Sequence, residues 1–204
     1  MSRALKRALD VALSGAGLVM SAPLWPIIAA AIKMDTPGPV FYGQSRVGEA
    51  GRPFMVLKFR SMIADAERDR GPVQADAGDA RITRVGRLLR ATAMDELPQL
   101  WNIFRGDMSF VGPRALRPEE IEADGGGRAV PLEDIPGFAA RCTVPPGLTG
   151  IAQIYAPRDV SRRQKFRFDL LYIRRRSFLL DLRLIVLSFW ITMRGTWEAR
   201  EKKF

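Results

Sequence analysis

The chain has 204 residues, with 32 Lys and Arg against 22 Asp and Glu, a single Cys and no His. Without His there is no imidazole catalysis or imidazole ligation, and lone Cys142 rules out a disulfide framework or a Cys-cluster zinc site; carboxylates, Lys and Tyr must do any acid–base work. The formal charge of +10 implies an anionic partner, whether nucleic acid, anionic lipid or phosphorylated substrate, and the length suits one domain with a real core.

From Val11 to Ile32 the chain carries no charge, between Arg3, Lys6 and Arg7 on one side and Lys33 on the other. That run is long enough to cross a bilayer, for which about 20 apolar residues suffice. Ser21, Pro23 and Pro26 interrupt it, so a kink is expected there, with the Ser21 hydroxyl available to a freed carbonyl. A spanning anchor, a re-entrant hairpin and a cleaved signal peptide compete. The run exceeds a signal h-region of about 7 to 15 residues, which disfavours the last, and length alone favours the anchor. Basic residues at both ends give no orientation bias, which suits both ends on the cytoplasmic side.

Asp35 to Pro39 breaks the helix and starts the soluble part, so the expected division is a membrane segment over 1–34 and a second unit over 35–204. Val40 to Tyr42 and Pro53 to Phe59 are β-rich runs separated by Gly48 and Gly51, which predicts a hairpin. Lys58 and Arg60 alternate with Leu57 and Phe59, placing both cations on one strand face, where simple solvation is the plain alternative. Residues 63–70 read as helix, 71–80 as a polar loop, and Arg81 to Leu89 as a basic helix with an apolar face of Ile82, Val85, Leu88 and Leu89.

The stretch from Thr92 to Arg114 holds the densest chemistry. Asp95 and Glu96 precede a short amphipathic run that Gly106 closes as a helix C-terminus, and Pro98 suits its first turn, so Asp95 is expected at or beside the N-cap. There the helix dipole favours the ionised carboxylate, able to act as nucleophile or metal ligand. Ordinary capping explains the same pair. The surrounding Arg81, Arg84, Arg87, Arg90, Arg105 and Arg114 suggest a site for a phosphorylated substrate, with guanidinium forks on phosphate oxygens and the acids on a divalent ion. A surface ion-pair network has the same appearance in sequence.

Gly125-Gly126-Gly127 lacks the Gly-Lys-Ser/Thr of a phosphate loop and reads as a turn. Pro131 to Pro146 reads as loop, Gly150 to Ile154 as strand, and Ser161 to Tyr172 as a cationic helix followed by Arg174-Arg175-Arg176. Phe178 to Met193 is strongly apolar, with Trp190 and Trp197 toward and beyond its end; its uninterrupted part is too short to span and suits a buried or interfacial helix.

The run from Asp95 to Arg114 resembles the signature of the bacterial sugar transferases, monotopic phosphoglycosyl transferases. Further blocks resemble the family in its order: Lys6-Arg7 with Asp10, Ser21-Ala22-Pro23, Gly38 to Phe41, Gln44 to Gly48, Lys58 to Met62 and Gly147 to Gly150. Two positions depart from the pattern: Pro145 stands where Arg usually precedes Pro-Gly-Leu-Thr-Gly, and Ala115 replaces a Pro. Arg141 is a candidate to take over the missing Arg's role.

The resemblance implies an α+β, mostly helical small domain with a short hairpin or sheet, an N-terminal re-entrant membrane helix broken at Ser21 and Pro23, and interfacial amphipathic helices. It implies transfer of a sugar 1-phosphate from a UDP-sugar to polyprenol (undecaprenyl) phosphate through an aspartyl phosphosugar intermediate, with UMP released. Asp95 matches the nucleophile and Glu96 the second acid, with Mg²⁺ expected at the pair. Lys58, Arg60, Arg90, Arg114 and Gln153 match substrate-phosphate or ligand contacts, against the plainer readings of solvated charges and an exposed amide. Expected partners are both substrates and anionic lipids at the cytoplasmic face of the bacterial inner membrane, with a homo-oligomer left open and no nucleic acid. The competing class is a non-enzymatic basic membrane protein that binds anionic lipid or nucleic acid, which would leave the acid pair idle.

Overall fold

Ser2 has the side chain of an N-cap and acts as one, its hydroxyl accepting from the Leu5 amide at 3.2 Å and starting helix α1 (Arg3–Ser21). The computed structural model describes residues 1–64, 66, 79–118, 120–123, 129–157 and 160–194. At the expected break, helix α2 (Leu24–Asp35) departs at 61° to α1. The Ser21 hydroxyl sits 3.4 Å from the Leu18 carbonyl and accepts from Trp25 Nε1 at 3.1 Å. Among the described residues no single helix is long and apolar enough to cross a membrane, although the bent pair together has the length and composition.

Helix α1 is inside out. Asp10, Ser14 and Ser21, which helical spacing puts on one side, are buried, whereas Val19 and Met20 are 76% and 80% exposed. A water-facing amphipathic helix would do the opposite.

The predicted hairpin forms from β1 (Phe41–Val47) and β2 (Pro53–Phe59), antiparallel with Tyr42 opposite Lys58 and Arg46 opposite Phe54. The basic helix starts later than its charges suggest: Thr83 accepts from the Gly86 amide at 2.9 Å, so α3 spans Arg84–Ala91. Ala93, in the left-handed region at φ 53°, then turns the chain into a 3-10 turn over Met94–Glu96. Helix α4 (Gln99–Arg105) follows and ends on Gly106 at φ 103°, as expected. Asp95 is therefore not the cap of α4. Pro98 holds that position with no side-chain cap bond, and the acids lie in a separate turn.

Two further small sheets complete the strands: β3 (Ser109–Val111) pairs in parallel with β6 (Gly147–Thr149), and β4 (Ile121–Ala123) pairs with β5 (Ala129–Pro131). The expected loop from 131 to 146 contains a 3-10 turn over Leu132–Asp134 and the short helix α5 (Phe138–Arg141). The strand expected over 150–154 is a helix, α6 (Ile151–Tyr155): pairing with β3 uses the three residues before it, and Ala152, Gln153 and Ile154 are then buried by coiling. Helices α7 (Arg162–Arg175) and α8 (Phe178–Met193) match expectation, each started by a Ser cap. Most of the helix and loop expected over 63–80, the Gly125–Gly127 turn and Trp197 lie outside the described residues.

One core cluster joins Val111, Ile154, Tyr172, Leu184 and Ile191; another joins Ile28, Ile32, Phe59 and Leu89, and so ties α2 to β2 and α3. Each such side chain contributes roughly 1.5 to 3 kcal/mol through burial. Polar ties complete the assembly. Lys6 meets Asp181 at 2.6 Å; Tyr172 donates to Asp181 at 2.9 Å; Asp10 accepts from the Ser109 hydroxyl and the Phe110 amide, both at 3.0 Å. Arg7 donates to the Ile103 and Phe104 carbonyls at the end of α4, at 2.7 and 2.6 Å. These bonds give the Lys6-Arg7 and Asp10 block a structural purpose: they fasten α1 to α4, β3 and α8.

Asn102 performs the corresponding task for α4 and the hairpin. Its Oδ1 accepts from the Leu57 amide at 3.0 Å, and its Nδ2 donates to the Met55 carbonyl at 2.8 Å and to Asp107 at 3.2 Å. Asn102→Ala leaves backbone groups of β2 without partners and is expected to cost about 2 to 4 kcal/mol. Equilibrium unfolding in detergent measures this, and a loss below about 1 kcal/mol would show that β2 is held by something else.

Candidate active site

Two acidic side chains and one ammonium define the site. The 3-10 turn carries Asp95 and Glu96, and β2 delivers Lys58, whose Nζ lies 2.5 Å from Glu96 Oε1 and 4.0 Å from Asp95 Oδ2. Both carboxyls are shielded from solvent, but they divide the cation unequally. Burial pushes the Asp95 carboxyl up to about 6; Lys58 and Arg90 oppose the rise and the Glu96 charge adds to it. Burial acts on Glu96 in the same direction but is outweighed by Lys58, Arg114 and hydrogen bonds from Lys58 and Gln99, which hold it below the usual range. The dipole-stabilised Asp95 expected from an N-cap is thus replaced by a desolvated acid whose proton affinity is raised, and Glu96 keeps the closer ion pair.

The site residues expected from sequence separate into groups. Lys58, Glu96 and Arg114 line one cavity with Arg46 and Gln99, and Arg90 is near enough to act on Asp95. Arg60 turns elsewhere: β2 ends at Phe59, and the Arg60 guanidinium donates to the Pro37 carbonyl and, at 2.8 Å, to the Thr36 carbonyl, clasping the exit from α2. Gln153 is buried on α6, where a Cβ added to Gly150 would stand 2.8 Å from its Oε1, and it is not part of the Lys58–Arg114 lining. Ser21 and Pro23 sit at the helix bend.

Beside the bend is a cavity of about 530 Å³ with wholly apolar walls, formed by Leu18, Trp25, Phe41, Leu57, Pro98 and Trp101. Leu57 and Lys58 are successive on β2 and so face opposite sides of the hairpin, and Pro98 follows Glu96 by two residues, so this cavity is walled by the same stretches of chain that carry the acids and Lys58. These stretches thus border an apolar cavity toward the bend and a cationic cavity toward Arg46 and Arg114.

Close backbone packing fixes Arg114. A Cβ on Gly147 would collide with the Gly112 amide nitrogen, and one on Gly112 would come within 2.5 Å of the Pro145 carbonyl oxygen. Pro145 thus contributes its backbone at this crossing. Arg141 does not enter the cavity in place of the missing Arg: it is buried, pairs with Asp169 at 3.0 Å, and donates to the Arg114 carbonyl at 2.5 Å, supporting that residue from behind. Ala115 offers its carbonyl to Arg46 at 3.1 Å.

Gln99 and Arg46 join the Lys58–Arg114 lining without being among the site residues the sequence predicts. The signal for Arg46 was the period-2 alternation Tyr42, Gln44, Arg46 facing Lys58 across the hairpin; Gln99 had no comparable mark. Among the described residues no three His, Cys, Asp or Glu side chains gather as a metal cage. Two adjacent carboxylates nevertheless fit Mg²⁺, which is commonly held by one or two carboxylates with substrate phosphate and water completing its shell.

A shielded acid pair among cations, on stretches of chain that also wall an apolar cavity at a helix bend, is chemically equipped to handle a phosphorylated substrate with an apolar portion. The chain belongs to the bacterial sugar transferase family, whose sequence profile matches residues 1–195. It is 43% identical over 188 residues to a UDP-glucose:undecaprenyl-phosphate glucose-1-phosphate transferase of Caulobacter vibrioides, covering 89% of this chain and 67% of that protein. Identity to the Escherichia coli protein of the same name is 39% over 193 residues, 92% of this chain but 40% of the relative, so the chain spans about two fifths of that protein's length. The exopolysaccharide production protein PSS of Rhizobium leguminosarum bv. phaseoli is 39% identical over 190 residues, 91% and 93% of the two chains.

Proposed function

We propose that the protein transfers a sugar 1-phosphate from a UDP-sugar to undecaprenyl phosphate or a related polyprenol phosphate, releasing UMP. The observation that carries this reading is the Asp95–Glu96 pair sharing Lys58, with Lys58 and Glu96 lining a cationic cavity and neighbouring residues of the same stretches walling an apolar cavity at the helix bend. The names of the relatives point to the same substrates.

Asp95 is the nucleophile. Its carboxylate oxygen bonds to the β-phosphorus, the bond to the bridging oxygen breaks, and that oxygen leaves with its electron pair on UMP. The phosphate of the polyprenol then attacks the same phosphorus and frees Asp95. Two steps replace one direct encounter between bulky anions. Glu96 holds Lys58 in place and keeps the second charge of the pair. Asp95 and Glu96 together would hold Mg²⁺, which supplies charge neutralisation for phosphoryl transfer. Arg90 and Arg114 contact substrate phosphate.

In this reading residues 1–34 form a re-entrant anchor on the cytoplasmic face of the inner membrane, and 35–204 form the catalytic unit. Support comes from the inverted burial of α1, the 61° bend, and the exposed Leu179, Val186, Phe189 and Trp190 of α8, which suit the headgroup layer.

The detergent-solubilised protein, given UDP-sugars, polyprenol phosphate and Mg²⁺, is expected to release UMP; Asp95→Asn should abolish release, and Glu96→Gln should lose most of it. Wild-type-like turnover by Asp95→Asn would remove that residue from the nucleophile role. Because the Asp95 carboxyl stands near 6, covalent adduct formation should fall about tenfold per unit as the pH drops below that value. Lys58→Gln should move the inflection upward, since the nearest cation is gone; an inflection that stays fixed would mean the titrating group is not Asp95. In spheroplasts, Ser2→Cys should resist a membrane-impermeant thiol reagent until the membrane is permeabilised, and labelling from outside would overturn the hairpin.

A further inference from the structure

We propose that Arg46, acting with Arg114, binds the α-phosphoryl group of the nucleoside diphosphate donor, which makes the hairpin end remote from the helix bend the nucleotide end of the site. This assignment rests on the reaction proposed above. The Gln44 to Gly48 block has no role in that reaction as so far described.

Register supplies the first argument. Tyr42 lies opposite Lys58, Gln44 opposite Val56 and Arg46 opposite Phe54, so alternation places Arg46 and Lys58 on one face of the hairpin. Their strand positions are separated by roughly 13 Å, and both long side chains line the cavity that holds Glu96, Gln99 and Arg114. A diphosphate with its β-phosphorus at Asp95 would extend from Lys58 toward Arg46.

Charge supplies the second. The Arg46 side chain is 13% exposed, donates to the Ala115 carbonyl at 3.1 Å and to Gln44 Oε1 at 2.5 Å, and has Glu120 as its carboxylate at 3.7 Å. Glu120 is held more tightly by Arg162, at 2.5 Å. Burial, followed by the charges of Arg114 and Arg117, lowers the Arg46 guanidinium to about 10, with Glu120 and Tyr42 opposing. Across the cavity lie Lys58 and Glu96, already paired with each other. A guanidinium carries five N–H donors, so Arg46 retains donors for an anion, and the positive surplus around it favours one.

Direction supplies the third. Trp25 of α2 packs at a tilt on Phe41 and edge-on to Phe59, at ring distances of 5.9 and 5.4 Å, so the Tyr42–Lys58 end of the hairpin abuts the bend and Arg46 is at the far end. A polyprenol phosphate reaches Asp95 from the apolar side, which leaves the cationic side to the water-soluble donor. As the bridging P–O bond breaks, charge builds on the departing phosphate next to Arg46 and Arg114, where fixed donors stabilise it.

Arg46→Gln and Arg46→Lys decide the point through two readouts. In steady-state transfer, Arg46→Gln should raise the KM for the UDP-sugar about tenfold or more while that for polyprenol phosphate stays within about twofold. In equilibrium binding, the Asp95→Asn protein should bind UMP, and adding Arg46→Gln should weaken that about tenfold, with Arg46→Lys intermediate because it keeps charge but loses the fork. Melting curves of both Arg46 variants matching wild type exclude misfolding; if Arg46→Gln melts low, the Arg46→Lys comparison stands on its own. Unchanged UMP affinity, or a shift confined to the lipid acceptor, overturns the assignment. Failure of wild type to turn over any donor would instead refute the transferase reading, and the UMP measurement would still test Arg46.

Discussion

Everything at the site depends on where β2 lies relative to α4, and one buried amide fixes that. Asn102 reaches across to the Leu57 amide and the Met55 carbonyl while its own carbonyl accepts from the amides that follow α4. The next residue along β2 is Lys58, and the turn preceding α4 holds Asp95 and Glu96. A side chain that satisfies two strand groups at once sets both the separation and the register of the two elements. Lys58 is consequently delivered to the acids by backbone geometry, and its ion pair with Glu96 follows from that placement. The unequal sharing of the cation, close to Glu96 and distant from Asp95, is what differentiates two chemically similar carboxyls.

The hairpin also gives the site a polarity. Its Phe41–Phe59 end packs on the bent helices, Lys58 beside that end meets the acids, and its Arg46 end lies among guanidiniums. Around this axis, support is layered. Arg141 holds the Arg114 backbone, Asp169 holds Arg141, and the Gly112–Gly147 crossing keeps the two supporting chains close. Arg60, a cation of the same sequence block as Lys58, secures the junction between α2 and β1.

Much of this was legible in the residues. The Pro23 break, the hairpin, the Gly106 terminus and the two long C-terminal helices follow from proline chemistry, β-propensity, positive φ and apolar periodicity. The acid pair stood out because two carboxylates lay among many arginines. Other features were not local. Pro98 suits a first turn and so predicts Asp95 at or beside the N-cap of α4, but Ala93 in the left-handed region inserts a separate turn, and no propensity marks an alanine for that. The apolar residues of Gly150–Ile154 fit a strand, but pairing with β3 is taken up by the preceding three residues, and Ile151–Tyr155 coil instead. That Arg60 and Lys58 diverge, and that Arg46 converges, depends on side-chain partners from distant parts of the chain.

The reversed burial of α1 has a thermodynamic corollary. Its docking combines ions and polar hydrogen bonds, through Lys6, Arg7 and Asp10, with apolar contact of Leu18 and Gly17 against α4. The polar bonds gain strength as the effective dielectric falls, whereas water competes for every one of them. The outward Val19 and Met20 prefer hydrocarbon for the separate reason that they stand largely uncovered among the described residues. Surroundings of oil therefore drive the same event twice, hiding the outer face and tightening the inner one, so for this helix the solvent itself acts as a structural component.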